Sequence, residues 1–266
     1  MEKRSRSLTR WLDELQRSGR YAFTREEALR DLNLPADALD KPLQRVSSQG
    51  RILRLRRGFY VVVPLEYTSV GTIPTEWFID DLMRFIGKPY YVGCLSAAAL
   101  HGAAHQRAQE MEVVVPEHVR DVETRAVRVR FLHFSGMKRA LTESRRTHTG
   151  NIPVSTSEWT AIDLIRFQKH YGSMDAAATV LTELAEALDA EKLAVAAARE
   201  HTNAYLQRLG WLLDFLGHEK LTRSLRVVVA ERNPSYTPLN PSLKNRSRHR
   251  DSRWRIVINE NPEADL

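Results

Sequence analysis

The sequence predicts an α+β protein, with an N-terminal winged helix-turn-helix over residues 1–70 and a larger mixed α/β domain over 71–266. Three observations lead there. Three helix-length apolar periodicities are followed directly by two strand-length runs about a glycine preceded by arginines. The remaining chain interleaves strand-like and helix-like segments without an internal repeat. Its 266 residues, 42% hydrophobic, exceed the roughly 100–200 residues of one domain, so two are expected.

The first helix is predicted by Leu8, Trp11, Leu12 and Leu15 at the i, i+3, i+4, i+7 spacing of an amphipathic face, ending at Ser18-Gly19. A second starts at Thr24, whose spacing to Glu27 fits a capping box in which each side chain bonds the other's backbone N–H. Ala28, Leu29 and Leu32 are its apolar face, and Asn33-Leu34-Pro35 turns the chain. The third helix covers roughly Ala36 to Gln49, with Leu39, Leu43 and Val46 as the buried stripe. Pro42 lacks an N–H donor and is tolerated if Asp40 is the N-cap. Strand alternation in the wing puts Leu53 and Leu55 on one face and Arg54 and Arg56 on the other; Gly58 turns the chain, and Phe59 to Val63 returns.

Beyond a linker at 64–73, Thr72 or Thr75 can cap a helix running to Gly87. Strands are predicted at Tyr90–Gly93, Met111–Val115, Val127–Phe134, Ile152–Ser155, Leu225–Ala230 and Trp254–Ile258. Helices are predicted at Leu95–His101, after a Ser157 cap, and as two helices within 175–217. Between the last two strands lies a basic loop, 239–255, with Lys244, Arg246, Arg248, Arg250 and Arg253. It reads as a solvated loop or as an auxiliary contact to DNA or an acidic partner.

The net charge is +7, and residues 1–70 alone carry 14 Lys/Arg against 9 Asp/Glu. A positive excess concentrated on one domain favours a nucleic-acid partner. A helix fits the major groove of B-DNA, and the face of the third helix opposite its stripe offers Lys41, Gln44, Arg45, Ser47 and Ser48 to base edges. Arg54, Arg56 and Arg57 at the hairpin tip can reach phosphates or the neighbouring minor groove, and Arg25 and Arg51 are further candidate DNA contacts. A solvated basic face on a protein-binding scaffold is the competing reading. One cysteine, Cys94, leaves no internal disulfide, and with neither a signal-like N-terminus nor an apolar run of ~20 residues a cytoplasmic location without membrane contact is expected.

Three motifs bear on an enzymatic function. Gly172-Ser173-Met174-Asp175 shares the Gly-Ser start of nucleotidyltransferase motifs but lacks the following Asp-x-Asp, and Ser173 serves more simply as a helix cap. Glu110 and Glu112 fall on one side of a strand, as in metal-dependent nucleases, yet Val114 stands where a lysine is needed. His101 and His105 have metal-binding spacing with no third ligand. No metal, cofactor or catalytic residue is therefore expected. The alternative is a DNA-targeted, metal-dependent nuclease-like or nucleotidyltransferase-like enzyme; a third option is a regulator whose second domain senses a ligand.

Four stretches carry a family resemblance: 54–60 (Arg-Leu-Arg-Arg-Gly-Phe-Tyr), 91–102 (Tyr-Val-Gly-Cys-Leu-Ser-Ala-Ala-Ala-Leu-His-Gly), 155–164 (Ser-Thr-Ser-Glu-Trp-Thr-Ala-Ile-Asp-Leu) and 254–259 (Trp-Arg-Ile-Val-Ile-Asn). In this combination and order the chain resembles the AbiEi antitoxins of type IV, abortive-infection toxin–antitoxin systems of bacteria. The resemblance implies a phage-defence operon with a nucleotidyltransferase-like toxin, and a winged domain that represses its own promoter at inverted repeats. It implies that the second domain neutralises the toxin without requiring a stable complex, and that monomers or weak dimers bind DNA cooperatively.

Overall fold

A computed structural model describes residues 7–103, 110–171, 174–243 and 249–262. The chain opens with α1 (Leu8–Arg17), capped by the Ser7 hydroxyl, which accepts from the Arg10 N–H. Strand β1 (Ala22–Thr24) leads into α2 (Arg25–Leu32), where Thr24 Oγ1 accepts from the Glu27 N–H at 3.1 Å. The Glu27 carboxylate instead bonds Arg20, so the Thr24 half of the expected capping box is the half that forms. Helix α3 (Asp40–Ser48) begins later than the expected Ala36, because residues 36–38 form a separate 3₁₀ turn; its N-cap is Leu39 in place of Asp40, which is the first helical residue and is ion-paired to Arg25. Pro42 stays within the first turn, where N–H groups have no helical partner. Leu39, Leu43 and Val46 are buried against Trp11, Leu12 and Phe23.

The wing strands β2 (Ile52–Arg56) and β3 (Phe59–Val62) pair antiparallel, and β1 joins the far side of β3. A bulge between Arg54 and Arg56 breaks the alternation expected there. Ile52 and Leu55 are buried, Leu53 is half-buried, Arg54 is exposed, and Arg56 is drawn partly inward.

After the wing come α4 (Ile79–Ile86), β4 (Tyr91–Val92) and α5 (Cys94–Leu100), then β5 (Met111–Val115), β6 (Val122–Glu123) and β7 (Arg128–His133). The hairpin β8 (Thr142–Arg146) and β9 (Asn151–Ser155) completes a six-stranded mixed sheet of order β6-β7-β5-β4-β9-β8. Four helices follow the next turn: α6 (Ser157–Arg166), α7 (Met174–Leu184), α8 (Ala190–Arg199) and α9 (Asn203–Phe215). Then come α10 (Thr222–Glu231) and the short strands β10 (Thr237–Pro238), β11 (Arg250–Asp251) and β12 (Ile256–Val257).

Several expectations are corrected here. Neither Thr72 nor Thr75 caps α4; its N-cap is Phe78, with no side-chain bond. Thr156, not Ser157, caps α6 by accepting from the Trp159 N–H. Residues 175–217 hold three helices rather than two, because short turns at 185–189 and 200–202 divide the run. Leu225–Ala230 is helical: Thr222, Leu225 and Val229 make a 3.6-period stripe buried against α8 and α9, and that packing overrides the β-propensity of Val227, Val228 and Val229. Strands β6 and β8 were not foreseen, since neither carries an alternating apolar pattern. Ser173, His105, Lys244, Arg246 and Arg248 lie outside the described residues.

The sheet divides two cores by its period of two. Tyr91, Val114 and Leu132 face helices α5 to α10. Val92, Val113, Val115, Phe131, Ile152 and Val154 face α4 and, directly, the back of the wing through Ala22, Leu55, Phe59 and Val61. The helix-turn-helix region and the second region therefore share one core across residue 70. An aromatic seam seals their junction: Trp77 stacks on His148 at 4.2 Å, Tyr21 packs on Trp77 at 5.1 Å, and Thr149 Oγ1 donates to the Trp77 carbonyl at 2.6 Å.

Candidate nucleic-acid interface

Helix α3 and the wing enclose a groove of about 1120 Å³ on the face of the helix-turn-helix. One wall is α3, contributing Asp40, Leu43, Gln44, Ser47 and Ser48; the other is the wing, contributing Leu53, Arg54, Arg57, Gly58 and Tyr60. Arg25 and Glu26 at the start of α2 close one end. Local chemistry fixes these walls. The Leu39-Leu43-Val46 stripe, buried in the core, rotates Gln44, Ser47 and Ser48 outward. Gly58, at φ +87°, makes the wing turn, and its carbonyl accepts from the Arg25 N–H at 2.9 Å, tying the wing to α2.

Of the ten residues singled out by sequence, six line this groove: Arg25, Gln44, Ser47, Ser48, Arg54 and Arg57. Lys41 and Arg45 are exposed on α3 outside its lining. Two others point elsewhere. Arg51 pairs with Asp13 at 2.7 Å, bracing the wing against α1. Arg56 donates to the Arg120 carbonyl and lies over the Phe131 ring at 5.7 Å, so its guanidinium belongs to the junction with the sheet. Burial, then the neighbouring Arg120 charge, lowers the Arg56 pKa from its ordinary value. Arg25 is also engaged, donating to Asp40 and to the Ala36 carbonyl; the Asp40 bond raises its pKa. Sequence reading missed Leu53 and Tyr60 as groove walls. Tyr60 is held there by stacking on Phe23 at 5.2 Å, a pairing between separate elements that no local pattern announces.

Several polar residues of the second region are internal. Glu112 is fully buried; its Oε2 accepts from the Leu95 N–H at 2.8 Å and the Tyr171 hydroxyl at 3.2 Å, and its Oε1 has no partner among the described residues. Burial, opposed by the Leu95 N–H, pushes this carboxyl up to about 7. Glu110 pairs separately with Arg130 at 3.1 Å. His101 Nε2 bonds the Ser155 carbonyl at 2.8 Å. The Tyr91 hydroxyl donates to Asp163 at 2.9 Å and accepts from Trp159 Nε1 at 3.2 Å, while Arg166 bridges Asp163 and Glu200. Residues 91–102 and 155–164 thus join β4, α5, β9 and α6 through buried bonds. The Trp254 indole is buried on α9, donating to Asp214 at 2.7 Å where Gly210 leaves room for its ring. In the basic loop, Arg253 pairs with Asp214 at 2.9 Å and Arg250 lies over Tyr236. No helix among the described residues is long and apolar enough to cross a membrane.

Two family models match the chain: "Transcriptional regulator, AbiEi antitoxin" over residues 12–63, and "AbiEi antitoxin C-terminal domain" over 91–215. No curated protein matches it significantly. Among solved structures, the RV2827C protein from Mycobacterium tuberculosis is similar, with a TM-score of 0.66 at 16% identity, over 94% of this chain and 90% of that one. At that identity the likeness speaks for the fold alone. The first family match spans α1 through the wing and the second runs from β4 to the end of α9, together about two thirds of the chain; the protein belongs to the AbiEi antitoxin family.

Proposed function

We propose that the protein is a DNA-binding autorepressor and antitoxin: α3 and the wing bind inverted repeats upstream of its own gene, and the second region counteracts a nucleotidyltransferase-like toxin encoded beside it. The groove between α3 and the wing carries this reading. Gln44, Ser47 and Ser48 on one wall have the donors and acceptors needed to read base edges in a major groove. Arg54 and Arg57 on the other wall are exposed cations, the side-chain type that pairs with flanking phosphates. The antitoxin acts in this proposal by binding rather than catalysis, in the cytoplasm, as a monomer or weak dimer that is cooperative on DNA.

The test is a titration of the full-length protein on its own upstream DNA and on a scrambled duplex at several salt concentrations. Arg54→Ala with Arg57→Ala should weaken binding roughly hundredfold, at about 1.5 kcal/mol per charged hydrogen bond. The salt slope should fall by about 1.8, at roughly 0.9 per phosphate contact. An unchanged slope would remove the wing from the interface. Gln44→Ala should instead relax preference at one base pair by about 1–3 kcal/mol and leave the slope alone. Equal losses on both duplexes would contradict a base-reading role. Co-expression with the adjacent toxin gene tests the second half, because rescue of growth is expected of an antitoxin and not of a ligand-sensing regulator.

A further inference from the structure

The wing does not end at its own edge. Its outer strand β2 abuts β6, the edge strand of the six-stranded sheet, so two sheet edges from different parts of the chain lie side by side. Arg56 fastens this seam by donating to the backbone carbonyl of Arg120, two residues before β6. The Arg120 side chain is left exposed, with no ion pair among the described residues, and it sits near enough to lower the Arg56 pKa. Asp121 acts on Arg56 in the opposite sense, and its Oδ1 is already engaged, accepting from the Phe131 N–H at 2.8 Å. Arg54 and Arg57 stand on the adjacent wing, likewise exposed and without ion pairs among the described residues. Clustering cations with so little compensating charge is unfavourable in the free protein and becomes favourable when a polyanion neutralises them.

We propose that Arg120 contacts a phosphate of the same double-stranded DNA that fills the α3–wing groove, extending the interface from the wing onto the second region. This rests on the reading of the groove as a DNA site. Because the Arg56 bond uses the backbone of residue 120, substituting the Arg120 side chain leaves the seam intact. Arg128 supplies a matched control: it is an exposed arginine of the same β6–β7 hairpin, but ion-paired with Glu123 at 3.5 Å.

The experiment compares full-length Arg120→Ala, Arg128→Ala and the Arg54→Ala, Arg57→Ala pair, measuring affinity for a duplex of the upstream DNA against salt. Arg120→Ala should weaken binding roughly threefold or more and reduce the salt slope by about 0.9, with Arg128→Ala unchanged. If Arg120→Ala matches the parent while the wing pair loses binding, the inference is overturned and the groove reading stands. Equal effects from Arg120→Ala and Arg128→Ala also overturn it, since overall charge would then explain both. If the wing pair has no effect either, the groove reading falls with it.

Discussion

Arg166→Met is expected to lower the unfolding free energy by about 3–5 kcal/mol, the usual consequence of removing one partner from a buried ion pair. For a protein of this size that corresponds to a fall in melting temperature of roughly 10 °C. The Arg166 side chain is 5% exposed, at the end of α6, and bridges Asp163 and Glu200, which are 0% and 1% exposed. Its guanidinium also lies over the Phe134 ring at 3.9 Å. Methionine preserves much of the apolar packing but strands both carboxylates, one of which also accepts the Tyr91 hydroxyl. Burial alone would raise the Glu200 pKa; Arg166 and the Thr202 N–H overcome that and hold it below its ordinary 4.5. A carboxylate with a depressed pKa stabilises the fold above its unfolded value and loses that contribution as pH falls. The difference between parent and variant should therefore be largest near pH 7 and narrow below about 4.5. Urea unfolding across that range checks it, and a neutral-pH loss under about 1 kcal/mol would mean that the network does not anchor α6.

Glu112→Gln should act in the opposite direction. The Glu112 carboxyl has its folded pKa raised from 4.5 to about 7 by burial. A raised carboxyl pKa means the folded protein holds a proton that the unfolded chain has already released. Stability is thus lost as pH rises from about 4.5 through about 7, by about 3 kcal/mol in all. Glutamine cannot ionise, and its carbonyl can keep the bond from the Leu95 N–H. The variant should equal the parent near pH 4, exceed it by up to about 3 kcal/mol at pH 8, and show no decline over the window. A parent whose stability is flat from pH 4.5 to 7.5 would refute the assignment. Together the two variants separate the limbs of the stability profile: Arg166→Met removes the acid limb's source and Glu112→Gln the neutral one's.

The two predictions concern residues that sequence reading treated very differently. Glu112 entered as half of a possible metal pair, on the correct side of its strand. What the strand faced was out of view: β5 is interior to the sheet, so a side chain beside Val114 meets α5 and Tyr171 instead of water. Arg166 carried no signal at all, since its partners are 3 and 34 residues away and a lone arginine ending a helix reads as a solvated cap. The helix-turn-helix was legible for the converse reason. Its helices bury stripes set by local spacing, and the groove's polar residues are simply the faces those stripes leave over. The intramolecular partners of Arg51 and Arg56 were out of view because a strand pattern shows that a side chain leaves a face, not whether Asp13 or the Arg120 carbonyl waits there.

Local sequence therefore determined what depends on near neighbours: the three N-terminal helices, the wing turn at Gly58, the β5, β7 and β9 strands, and the outward set of Gln44, Ser47 and Ser48. Tertiary structure alone decided which propensities lost, as at α10, where burial of Thr222, Leu225 and Val229 turned a run of valines into helix. It also decided which cations remain free for a ligand, and that the wing and the sheet share one apolar core across residue 70. The physical reason is range. Helix periodicity and turn chemistry are settled within a few residues, whereas burial, pairing and desolvation depend on groups brought together from across the chain.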